Sequence, residues 1–242
     1  MDKVNFHSDK IFYEWAPTEQ DQELIRLAQG CLERQKAFQQ QIRQSAFTPH
    51  PNAAYEVSEE ALRKILDAGK TIHGIGRERH ISNVIVFNIP GVEGSVSNRE
   101  ILETRGKLDK AMFRSVTHLF RTRKELSVIN SGYFWYPPGG YMGWHTNLGL
   151  PGWRLYITHA QEPGKSFFRY RDPDTSEIVT AWDREWNFRL FKIDPKRPFW
   201  HVVYSETNRY SFGYNIVPAE KPSFPLRVAK KAKQLFERAG AV

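Results

Sequence analysis

The stretch WRLYITHAQEPGKSFFRYRDPDTSEIVTAWDREWNFRLFKI, residues 153–193, decides the fold class. It divides into four runs rich in aromatic and β-branched residues, at 153–160, 166–170, 177–182 and 187–193. Between the first three stand Glu162-Pro163-Gly164 and Asp172-Pro173-Asp174. Proline presets φ, glycine accepts positive φ and Asp hydrogen-bonds its own backbone, so each break has turn chemistry. The pattern continues outward. Upstream, 127–136 and 141–146 are split by Pro137-Pro138-Gly139-Gly140, and Gly149-Leu150-Pro151-Gly152 precedes Trp153. Downstream, Asp194-Pro195 leads to further runs at 199–205 and 209–217. Eight short strands at this spacing predict a sandwich or barrel.

The first half of the chain has a different period. Thr18 and Asp21 can cap a helix whose apolar stripe runs through Leu24, Ala28, Cys31, Phe38 and Ile42, with Pro49 and Pro51 ending it. Ser58 predicts a second helix to about Ala68. Ser97 and Glu100 predict a third running toward Arg123, with a break at Gly106, and 81–89 reads as a strand. A closing helix is expected over 226–239. The expected organisation is therefore a helical support region at 1–125, a β core at 126–218 and a C-terminal helix within 219–242, all packed as one α+β unit.

Composition limits the function classes. The 242 residues are 40% hydrophobic and 26% charged, ordinary globular values that exclude a disordered chain or a coiled-coil rod. No apolar run is long enough for a membrane span, and the opening residues lack the apolar segment of a signal peptide, so a cytoplasmic protein is expected. The single cysteine, Cys31, excludes an internal disulfide and a cysteine-rich zinc site. The net charge of +8 is scattered. It tilts toward an anionic substrate, and no motif points to nucleic acid.

Three short pieces carry chemistry. In Trp144-His145-Thr146-Asn147, strand alternation would turn His145 and Asn147 to one face, with Tyr136 brought alongside by the Pro-Pro-Gly-Gly turn. In Pro198-Phe199-Trp200-His201-Val202, His201 is either a satisfied core histidine or a metal ligand. In Arg209-Tyr210-Ser211, an Arg fork and a hydroxyl share a face suited to a carboxylate, unless Arg209 points outward to solvent.

Taken together, His145-x-Asn147, His201 and Arg209-x-Ser211 resemble the ordered motif of the iron(II)- and 2-oxoglutarate-dependent oxygenases. The segment Tyr136-Pro137-Pro138-Gly139 is similar to one found in the prolyl hydroxylase and nucleic-acid demethylase branches. The resemblance covers about residues 127–217. It implies a double-stranded β-helix, a cupin-like jelly roll, with Fe(II), 2-oxoglutarate and O2 as cofactor and co-substrates. It further implies His145 and His201 as iron ligands, and Arg209 as the residue holding the distal carboxylate of 2-oxoglutarate, aided by Ser211 and Tyr136. The implied activity is hydroxylation of a small molecule, amino acid or peptide.

Asn147 departs from the family's Asp or Glu. An amide oxygen can ligate iron, but it is neutral and weaker, so metal affinity and reaction type are both in question. Asp172, Asp174 and Asp183 read as hairpin-turn and surface residues and not as replacement ligands. Two other readings stay open: a non-catalytic jelly-roll binding protein whose metal site has lapsed at Asn147, and a cupin-type metal enzyme that does not use 2-oxoglutarate. Arg209-x-Ser211 argues against the last.

Overall fold

The structure is a computed structural model that describes residues 3–70, 82–87, 96 and 98–219. Its elements run β1 (Val4–Asn5), β2 (Phe12–Trp15), α1 (Gln22–Lys36), α2 (Gln39–Ala46), α3 (Ala53–Glu56), α4 (Glu59–Asp67), β3 (Ser82–Asn83), β4 (Ile85–Phe87), α5 (Arg99–Leu119) and β5 (Phe120–Arg121). The β core follows as β6 (Leu126–Tyr136), β7 (Gly140–His145), β8 (Gly152–Ala160), β9 (Ser166–Arg171), β10 (Ile178–Trp182), β11 (Trp186–Ile193), β12 (His201–Ser205) and β13 (Arg209–Pro218).

These last eight strands are those expected from the sequence, and they divide between two antiparallel sheets, changing sheet at every connection except β9 to β10. The large sheet has the order β2-β11-β8-β13-β6-β4 and the small one β10-β9-β12-β7-β3. Strands β6, β8, β11 and β13 thus face β7, β9, β10 and β12, which is the strand order of a double-stranded β-helix. The crossing from β6 to β7 is a turn in which Gly140 N–H donates to Pro137 O at 2.7 Å. Pro138 supplies the fixed φ and Gly139, at φ 83°, the positive one.

Period-two alternation sorts the large sheet into two faces. Outward, Tyr133, Trp135, Leu155, Ile157, Leu190 and Phe212 form one apolar cluster with Leu24, Ala28 and Cys31 of α1 and Ile101, Leu108 and Met112 of α5. Inward, Phe134, Tyr136 and Phe191 meet Met142, Phe168, Tyr170 and Val203 of the small sheet. Arg105 of α5 is buried and donates to Gly132 O and Gly213 O, both at 3.1 Å, pinning the helix where β13 changes register. A side chain at Gly213 would meet the Tyr156 ring at 2.5 Å, so the close approach there requires glycine.

The helical half differs from expectation in detail. Thr18 does cap through Asp21, whose Oδ2 accepts from Thr18 N at 2.9 Å and Oγ1 at 2.8 Å, and Ser58 accepts from Ala61 N at 3.1 Å. The stripe to Ile42 is not one helix, because α1 ends at Lys36 and α2 restarts at Gln39. Asn98 caps α5, accepting from Ile101 N at 3.0 Å, and Gly106 does not interrupt the helix. Ser97 lies outside the described residues. Of the expected strand over 81–89, the described residues 82–87 form not one strand but two, since β3 pairs with β7 and β4 with β6, in different sheets. The helix expected over 226–239 lies outside the described residues. Among the described residues no helix is long and apolar enough to cross a membrane.

Candidate active site

The two inner faces enclose a cavity of about 580 Å³. On the small sheet, β7 ends at His145 and β12 begins at His201, and the two are direct cross-strand partners with ring centroids 4.1 Å apart. Both line the cavity, and both are almost fully buried. His145 Nδ1 lies 2.8 Å from Gly143 O, and His201 Nδ1 lies 2.9 Å from Phe199 O. A carbonyl only accepts, so each neutral ring is the Nδ1–H tautomer with its lone pair on Nε2. Burial lowers the His145 pKa to about 4, against the opposing pull of the Gly143 bond. Burial also holds His201 well below its usual value, helped by His145 and by the charge of Arg154. Two neutral imidazoles oriented through Nδ1 are what metal ligation requires.

Asn147 reaches the same place by a different route from the one its spacing suggested. β7 ends at His145, and Asn147 sits past the strand in the left-handed region at φ 56°. Its Nδ2 is 3.2 Å from His201 Nε2, to which it donates. A half-turn of the amide would present Oδ1 at that position. Among the described residues no three His, Cys, Asp or Glu side chains gather around one point. The donor set is therefore two imidazoles and an amide.

On the large sheet, Arg209 opens β13 directly opposite Tyr136, with its guanidinium 5.0 Å over the Tyr136 ring. Burial raises the Tyr136 pKa, and Arg209 only partly offsets this, so the hydroxyl keeps its proton. Ser211 lies two residues along β13 on the same face, and all three residues line the cavity. Arg209 is buried, which rules out the outward, solvated alternative.

Asp183 corrects the sequence reading. Asp172 is a turn residue, accepting from Asp174 N at 2.8 Å, and Asp174 is an exposed partner of Arg197. Asp183 is neither, being only 2% exposed. Its Oδ2 accepts from Arg209 Nε at 2.8 Å and from the Ser166 hydroxyl, and its Oδ1 from Arg189 Nη1. Burial alone would raise its pKa, but Arg209, Arg189 and Ser166 outweigh that and hold it at about 2. Arg189 also pairs with Glu14 of β2 at 2.7 Å. Arg209 Nη1 and Arg189 Nε are buried with no hydrogen-bond partner among the described residues.

Arg189 and Arg154 were missed in the sequence. The available signal was a cation inside an apolar strand, in Phe188-Arg189-Leu190 and Trp153-Arg154-Leu155. With Arg209 they give the cavity wall three guanidiniums, and among the described residues no Asp or Glu lines it.

No family model and no curated protein sequence matches the chain. Among solved structures it is similar to a 2OG-Fe(II) oxygenase family oxidoreductase from Burkholderia pseudomallei, at 15% identity over 56% of this chain and 64% of the other, with a TM-score of 0.39. The aligned part is thus just under two thirds of that oxidoreductase. It is similar to a Pseudomonas putida prolyl-4-hydroxylase at 13% identity over 88% of this chain and 95% of the other, with a TM-score of 0.41. A Trichoplax adhaerens prolyl hydroxylase, in complex with a hypoxia inducible factor peptide fragment, is similar at 13% identity over 84% and 94%, with a TM-score of 0.37. At such identities and scores these likenesses say nothing of substrate or chemistry. The double-stranded β-helix of this chain rests on its own strand order.

Proposed function

We propose that the chain is an iron(II)- and 2-oxoglutarate-dependent oxygenase that hydroxylates an unactivated C–H bond of a small molecule, amino acid or peptide. The observation that supports this best is the pairing of His145 and His201 across two strands, each ring tied through Nδ1 and opening Nε2 to one cavity. The donor chemistry suits a divalent iron, which would be held by both Nε2 atoms and by Asn147 Oδ1 after the amide turns. The buried, unpartnered Nη1 of Arg209 suits one carboxylate of 2-oxoglutarate, with Ser211 and Tyr136 beside it. When bound, iron and 2-oxoglutarate supply O2 activation, yielding succinate, CO2 and a hydroxylated product.

The protein's own part is positional. Gly143 O and Phe199 O fix the imidazole tautomers. Asp183 holds the Arg209 fork through Nε while leaving Nη1 directed elsewhere. Phe168 and Phe199, with centroids 5.4 and 5.5 Å from the His201 ring, keep water from it.

A second reading has specific support. Asn147 is neutral, and Asp183 already supplies Arg209 with a counter-charge. Both features suit a jelly-roll binding protein with a degenerate metal site. Succinate release from 2-oxoglutarate, measured with purified protein and iron(II) with and without candidate substrates, separates the two. Turnover supports the oxygenase. Its absence, together with no divalent-metal binding, supports the binding protein.

A further inference from the structure

Arg154 poses a problem that the proposed site does not solve. It sits on β8, its side chain lines the cavity, and it is 3% exposed. Among the described residues its hydrogen bonds go to main-chain carbonyls alone: Nη1 donates to Trp153 O at 3.4 Å and Nη2 to Leu150 O. A guanidinium carries five N–H donors. Arg105, Arg189 and Arg209, the other buried arginines, each pair with a carboxylate, whereas no ion pair to Arg154 exists among the described residues. Its partial desolvation lowers its pKa, with Tyr156 opposing. A buried charge without a counter-charge is costly to fold around.

The position of Arg154 suggests its use. Leu150, whose carbonyl it holds, closes a turn with Asn147, Leu150 N donating to Asn147 O at 3.1 Å. Arg154 therefore adjoins the loop that carries the amide beside His201. In register across the large sheet it neighbours Asn215, which in turn neighbours Ile129, and both line the same cavity. Arg209 lies six residues before Asn215 on β13, toward the opposite end of that wall. Between the ends, Phe134, Met142, Phe168 and Val203 offer apolar surface, beside the hydroxyls of Tyr156 and Ser211.

We infer that Arg154 is the anchor for a carboxylate on the substrate, which joins that carboxylate to an apolar segment lying toward His145 and His201. This rests on the oxygenase reading for the identity of the reacting end. One uncompensated positive charge matches one carboxylate. A phosphate dianion would leave a net charge in the buried site.

The test uses the full chain and a panel of straight-chain monocarboxylic acids and N-acetyl amino acids, each beside its primary amide. Binding is read as a shift in melting temperature and as a dissociation constant, without iron or turnover. Wild type should bind at least one acid about tenfold or more tighter than its amide, the scale of a charge-assisted hydrogen bond. Arg154→Met should erase that preference and Arg154→Lys should keep part of it. Equal binding of acid and amide, binding of no acid at all, or an undiminished preference in Arg154→Met overturns the proposal. Binding of 2-oxoglutarate to Arg154→Met is measured in parallel. If that is lost instead, Arg154 belongs to the co-substrate and the proposal fails while the oxygenase reading survives. If wild type binds neither iron(II) nor 2-oxoglutarate but keeps the Arg154-dependent acid preference, the anchor stands and the oxygenase reading falls.

Discussion

Asp183 and Arg209 are joined in a dry setting, with Arg209 Nε donating to Asp183 Oδ2 at 2.8 Å and both side chains at most 2% exposed. Arg189 holds the other oxygen of the same carboxylate. One acid thus organises two cations, and the guanidinium proposed to take a ligand carboxylate is already oriented before any ligand arrives.

Asp183→Asn removes the charge and keeps the shape. It should destabilise the fold by about 3–5 kcal/mol, because among the described residues Arg189 then keeps only the partly exposed Glu14 and Arg209 keeps no carboxylate. Thermal unfolding measures this. Added 2-oxoglutarate should raise the melting temperature of the variant more than that of wild type, since a ligand carboxylate then replaces the missing charge. An unchanged melting temperature would mean that the pair is not a stabilising one.

Arg209→Ala should weaken 2-oxoglutarate binding by about 2–5 kcal/mol while leaving divalent-metal affinity nearly intact. Calorimetric titration of each ligand separately gives the answer. Equal losses of both would place Arg209 in a purely structural role.

For the metal, His145→Ala and His201→Ala should each abolish binding, since at most two protein donors remain. Asn147→Asp should tighten it by about tenfold or more, an added 1.4 kcal/mol that a carboxylate at a divalent cation readily supplies. Manganese(II) affinity, measured without 2-oxoglutarate, tests this in all three variants. Equal affinity of wild type and Asn147→Asp would show that Asn147 is no ligand.

The histidines also set a pH dependence. An unfolded imidazole titrates near 6.5 and the buried His145 near 4. Between those values the unfolded chain binds a proton that the folded chain does not, so falling pH favours unfolding. Stability from this group is complete above 6.5, and about 3 kcal/mol of it is gone by pH 4. Asp183 acts lower: its contribution holds above 3.8 and is lost as pH falls toward 2. Urea unfolding at pH 7.5, 5.5 and 4.5 should show the first step, and His145→Gln should reduce it.

Turn chemistry made most of the core strands legible, because Pro, Gly and Asp act locally and five of the seven breaks carry a proline. His145, His201, Arg209 and Ser211 were legible through their order along those strands. Asp183 was not. Its sequence neighbours, Trp182 and Arg184, suit a surface turn, and its burial depends on Arg189 and Arg209 arriving from β11 and β13. Asn147 lies beside His201 by a route that alternation cannot foresee, since the strand ends at His145 and a left-handed residue beyond it makes the approach. The short strands β2, β3 and β4 carry no local signal of their own sheet, because pairing with an edge is settled by the partner.

β2 illustrates what such an edge strand can carry. Residues 12–15 pair along β11, and Glu14 supplies Arg189 with its second carboxylate. Trimming the chain before residue 16 would therefore do two kinds of damage at once. It would bare β11 as an open ladder, a template for self-association. It would also leave Asp183 as the sole counter-charge for two guanidiniums, drawing it more firmly onto both. Solubility and ligand affinity, ordinarily separate concerns in handling a protein, are linked here through one four-residue strand.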